Sequence, residues 1–180
     1  AMRHYWPARI MSSYAHDGSL VRYLKVSSVD WRGIVQLGLV DVVFRQVLYM
    51  AEKAACAMPG GEHTLIYDFG HSDEDVLAGR AVPIDFMSVV TVWRDILPLL
   101  RQHYPKLTKR FVFVRTGLVI SAIAATMAMM SQFSRFIHDH PVDFHADSGL
   151  PELLKLMPPD AIPRDLGGAG GDVLGTGGYL

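Results

Sequence analysis

Tyr104-Pro105-Lys106-Leu107-Thr108-Lys109-Arg110-Phe111-Val112-Phe113-Val114-Arg115-Thr116-Gly117, continued by the run Leu118 to Gln132, is the stretch from which the fold is read. A residue that precedes proline is pushed out of the helical region, so Tyr104-Pro105 ends a helix. Phe111 to Arg115 is a short run of large and β-branched residues and reads as a buried strand. No charge occurs from Gly117 to Gln132, and Val119 to Met130 is almost wholly apolar. Such a run is shorter than the roughly 20 apolar residues that cross a bilayer. A helix that is apolar all round is buried or faces something oily. Methionine suits surfaces that accept variable apolar partners, and Met127, Met129 and Met130 fall here. Two readings follow: a core helix, or a helix bordering a lipid pocket.

Upstream, Thr64 to Phe69 is a second buried strand, stopped by Gly70. Pro83 suits a first helical turn and is expected to open a long helix running to about His103, interrupted or bent at Pro98. Two apolar strands joined by one helical crossover must pair in parallel. Nearer the start, Pro7 to Tyr14 and Leu20 to Val26 read as strands around an Asp17-Gly18 hairpin turn. Asp30 caps a short helix from Trp31, and Asp41 to Met58 repeats apolar residues at helical spacing until Pro59-Gly60-Gly61. Ser72 to Val82 is polar and reads as an exposed turn with a short helix. Downstream, Pro141 to Ala146 reads as an edge strand and Leu150 to Met157 as a short helix. Alternating strands and helices argue an α/β fold with a partly parallel sheet. Residues 1–180 read as one domain with a Gly-rich tail, 167–180.

Composition narrows the function classes. Half of the residues are hydrophobic and only 19% are charged, so some apolar surface is expected to line a cavity. The net charge of -1, with no basic stretch, argues against nucleic acid. A single Cys56 allows no internal disulfide and suits a reducing, cytoplasmic compartment. Met2 to Pro7 lacks the apolar core of a signal peptide.

Rival chemistries are weaker. His138, Asp139, His140, Asp143, His145 and Asp147 crowd together, yet no second cluster supplies distant ligands, so no metal site is expected. Ser121 and Ser134 lack the Gly-x-Ser-x-Gly elbow of a nucleophile, and no enzymatic activity is expected. Arg115, ending the central strand, either meets a lipid headgroup at a pocket mouth or pairs with Asp68.

Four features then arrive in order: Leu65-Ile66-Tyr67-Asp68-Phe69-Gly70; Tyr104-Pro105 with its strand; the uncharged run; and Leu153-Leu154-Lys155 with Ile162-Pro163-Arg164-Asp165-Leu166-Gly167-Gly168. Together they resemble the CRAL-TRIO lipid-binding domain over roughly residues 5–180. The resemblance implies a lobe with a mixed, mostly parallel sheet flanked by helices, and an apolar pocket closed by a gate helix. It implies a pocket lined by Tyr67, Phe69, Phe86, Val90, Phe111, Phe113, Arg115, Ile120, Ile123, Met127, Met130 and Phe133, with Val119 to Phe133 as the gate. The implied partner is a hydrophobic small molecule or phospholipid, carried with no other cofactor and met at a transient membrane surface. Phosphatidylinositol binders of the family have Glu after Tyr-Pro and Lys at the last strand. Here Lys106 follows Tyr104-Pro105 and the Lys position falls near Pro141, with Arg135 upstream as its substitute if a short insertion follows the gate, leaving a more apolar ligand, another phospholipid or none. The alternative is a degenerate member that acts as a protein-interaction or membrane-recruitment module.

Overall fold

The computed structural model describes residues 8–57, 61–71, 77, 84–104, 106–117 and 140–170. The first hairpin joins β1 (Ala8–Tyr14) to β2 (Leu20–Lys25) in antiparallel pairing. Gly18, at φ 83°, occupies the left-handed position of the turn, and Asp17 Oδ1 accepts the Ser19 amide at 3.0 Å. A 3-10 turn (Val26–Ser28) leads to α1 (Trp31–Gln36), whose Asp30 cap accepts the Gly33 amide at 2.8 Å. Next come α2 (Val40–Ala57), β3 (His63–Asp68) and α3 (Phe86–His103). After β4 (Thr108–Val114) and β5 (Val142–Phe144), α4 (Leu150–Leu156) and 3-10 turns at Pro159–Ala161 and Arg164–Leu166 finish the described chain.

The strand order is β1-β2-β3-β4-β5, and every pair after the hairpin is parallel. Because order in space follows order in sequence, right-handed crossovers lay their helices on a single face. Leu24, Trp31, Ile34, Val43, Val47, Val92 and Ile96 form the core between that face and α1 to α3. The opposite face is left to the C-terminal segment. There Tyr23, Ile66, Val112 and Val114 pack against Leu153, Met157, Ile162 and Leu166.

The expected parallel pairing of the Thr64 and Phe111 strands is what the sheet shows. Several element ends differ from expectation by a few residues, and two of these shifts have a plain local cause. The long helix begins at Phe86, not Pro83, because Asp85 stays extended and caps it, accepting Ser88 Oγ at 3.0 Å and the Ser88 amide at 3.3 Å. β4 closes at Val114, because Arg115 turns to φ 53° and its amide leaves the β3–β4 ladder for the Asp147 carbonyl. The helix still ends before Pro105, at Tyr104, whose hydroxyl donates to Glu52 on α2. Exposed Pro98 sits inside it.

Candidate functional site

Facing residues on neighbouring strands share one side of a sheet. The register sets Leu65 beside Phe111, Tyr67 beside Phe113, and Phe113 beside Phe144. The helix-covered face therefore carries a ladder of rings. Tyr67 and Phe113 stack with centroids 5.4 Å apart, Phe113 and Phe144 at 4.9 Å, and Tyr67 and Phe111 at 6.1 Å. Phe69 joins Phe113 at 6.0 Å and Phe86 at 6.5 Å. Trp93 meets Tyr67 edge-on at 5.8 Å, and His140 lies flat on Phe111 at 5.7 Å.

The two faces of β4 differ. Val112 and Val114, on the C-terminal side, are 0% exposed. Phe113, between them in the same interior strand, is only half-buried, as are Tyr67 and Phe69, while Phe144 is 45% exposed. An interior strand of a parallel sheet is normally covered on both faces. Among the described residues the ring face is thus only partly covered.

Of the expected lining residues, the structure gathers Tyr67, Phe69, Phe86, Phe111 and Phe113 in this ladder. Val90 is a half-buried residue of α3. Ile120, Ile123, Met127, Met130 and Phe133, with the expected gate Val119 to Phe133, lie outside the described residues. Arg115 stands apart from the rings. Its Nε donates to Asp68 Oδ1 at 2.7 Å, its Nη2 bonds Asp68 Oδ2, and Nη1 reaches the His71 carbonyl at 3.3 Å. Tyr23 donates its hydroxyl to the same carboxylate. Of the two expectations for Arg115, pairing with Asp68 is the geometry found.

The His/Asp stretch disperses. Asp143 pairs with Arg110 at 3.1 Å, Asp147 accepts the Gly149 amide at 2.9 Å, and His140 is on the ring face. The expected edge strand shortens to Val142–Phe144, so His145 falls outside it. Among the described residues, no group of three or more His, Cys, Asp or Glu is placed to hold a metal ion.

Three polar groups on the ring face were not singled out by sequence reasoning as polar sites. β2 sets Leu20 beside His63, Arg22 beside Leu65 and Leu24 beside Tyr67, so Arg22, His63 and the Tyr67 hydroxyl share that face. Among the described residues no hydrogen bond or ion pair reaches the Arg22 guanidinium. Burial lowers its pKa. His63 is 0% exposed with both ring nitrogens unpartnered among the described residues, and burial, with the Arg22 charge, pushes its pKa down to about 4. Burial pushes the Tyr67 hydroxyl up to about 12, with Arg22 pulling the other way. At neutral pH the trio is one cation and two neutral groups. The available signal was the lone charge among the apolar residues of Leu20-Val21-Arg22-Tyr23-Leu24.

No described helix is long and apolar enough to cross a membrane. Compared with models of protein families, residues 9–168 match the CRAL/TRIO domain. Comparison with curated proteins finds no match.

Proposed function

The chain belongs to the CRAL/TRIO domain family, whose members generally bind small lipophilic ligands, and from that premise we propose that it holds such a ligand against the ring face of its sheet. The observation that carries the proposal is Phe113. It lies on an interior strand, stacked between Tyr67 and Phe144, yet it is only half-buried. Apolar surface left open at such a place is stabilised by an apolar guest, at roughly 0.8 kcal/mol per CH₂ buried. In this reading the segment Val119 to Phe133 contributes, on its sequence alone, to uptake of the ligand. Transfer between membrane surfaces is the activity the reading predicts, and no catalytic step is required. The test is solvent extraction and mass spectrometry of ligand from the purified protein, with a fluorescent fatty-acyl titration of the parent and Phe113→Gln. Copurified lipid and at least tenfold weaker binding by Phe113→Gln support it, tenfold being about 1.4 kcal/mol. A parent that neither carries nor takes up any lipid rejects it in favour of a protein-interaction module.

A further inference from the structure

Arg22 sits where an arginine is poorly placed without a counter-ion. It is on an interior strand, on the face that carries the rings, flanked in register by Leu65 and between Leu20 and Leu24 along the strand. Desolvation disfavours its charge, and guanidinium cannot escape by losing its proton. Elsewhere among the described residues, half-buried Arg115 has Asp68, Arg110 has Asp143, Lys109 has Asp17 and Lys25 has Asp165, while half-buried Lys53 lies over the Tyr49 ring. Arg22 has no acidic partner among the described residues.

His63 is the second, independent observation. Its ring is enclosed, with both nitrogens lacking partners among the described residues, whose other buried polar groups are mostly bonded. The Tyr67 hydroxyl is within electrostatic reach of Arg22 and makes no hydrogen bond among the described residues. A cation and two neutral groups, all unpartnered among the described residues and on one apolar face, call for the same thing, an anion that can accept hydrogen bonds.

We infer that Arg22, supported by the Tyr67 hydroxyl and the neutral His63 ring, receives the acidic head of an amphiphile whose apolar chain lies along Tyr67, Phe111 and Phe113. This rests on the lipid-binding reading and adds that the ligand is anionic and enters head-first toward β2. The shared chemistry is an oxyanion, the carboxylate of a fatty acid or the phosphate of a phospholipid. A charge-assisted bond from a two-pronged guanidinium is the strong kind, and it forms only with the acid.

The delipidated full chain is titrated with oleate, with oleyl alcohol and with 1-oleoyl lysophosphatidate. The parent should prefer at least one acid to the alcohol by about tenfold or more, as a charge-assisted bond provides. Which acid wins assigns carboxylate or phosphate. Arg22→Met should erase the preference while leaving the affinity for the alcohol within about threefold, and Arg22→Lys should keep part of it. Because the charge has no partner among the described residues, ligand-free Arg22→Met should unfold at the same temperature as the parent or higher. Equal affinity for acids and alcohol, a preference that survives Arg22→Met, or a large drop in its unfolding temperature overturns the inference and leaves lipid binding intact. Binding of no amphiphile at all rejects both.

Discussion

Arg115 Nε donates to Asp68 Oδ1 at 2.7 Å across the C-terminal ends of β3 and β4. The same carboxylate also takes the Tyr23 hydroxyl from β2, so three strands meet at one buried acid with 0% side-chain exposure. Gly70 makes the arrangement sterically admissible, since a Cβ there would run into the Arg115 side chain. Asp68→Ala strands the Tyr23 hydroxyl and half-buried Arg115 together. The expected loss is about 3 kcal/mol, in the range for breaking one side of a buried pair, read as a shift of the urea midpoint. A loss below about 1 kcal/mol contradicts the clamp, since that is the worth of an exposed pair.

His63 makes stability depend on pH. Its folded pKa, about 4, lies below the ordinary 6.5, so the unfolded chain takes up the proton first. Its contribution is full above pH 6.5, falls as pH drops toward 4 and is constant below that. The window spans on the order of 3 kcal/mol, at about 1.4 kcal/mol per unit. Arg22 is the charged group that faces His63, and it stays cationic throughout. The measurement is the difference in unfolding free energy between the parent and His63→Leu from pH 7 to 4. A difference independent of pH is the contrary outcome.

Gly168 is held against the carbonyl of Ile162, which accepts the Gly170 amide at 2.9 Å. An added Cβ would collide with that backbone, and Ile162, at 0% exposure, cannot yield. Gly168→Ala should lose about 2–3 kcal/mol, the cost of overpacking. Gly18 is the control. It has φ 83° but open space around its Cβ position, so Gly18→Ala should cost only about 1 kcal/mol of backbone strain. Equal losses at the two sites in denaturant titrations would argue against a collision at Ile162.

Asp85 rather than Pro83 starts α3, so capping chemistry should govern that end. Asp85→Ala should lower the unfolding temperature by about 2–4 °C, as a lost cap does in a chain of this size. Asp85→Asn, which still accepts a hydrogen bond, should recover most of it. Indifference to both changes would move the helix start elsewhere.

Local chemistry made much of the architecture legible. Apolar runs at Leu65 and Phe111, the stop at Tyr104-Pro105 and the turn at Asp17-Gly18 are properties of neighbours along the chain. Parallel pairing followed from the length of the crossover alone. Where two start signals competed, Pro83 was read and Asp85 caps, because the better hydrogen bond shows only once Ser88 is in place.

By itself, then, the sequence determined which of the described segments are strands and helices, the parallel joining of two of them, and a likeness to one lipid-binding family. Only the tertiary structure decided which face each strand residue occupies. A strand covered on both sides has no alternation of polarity to declare its faces, so Phe113 in the ring ladder and Val112 in the opposite core read alike. Partner choice belongs to the fold for the same reason. Asp68 and Arg115 lie 47 positions apart and meet only through register, and register leaves Arg22 beside Leu65 with no acid among the described residues.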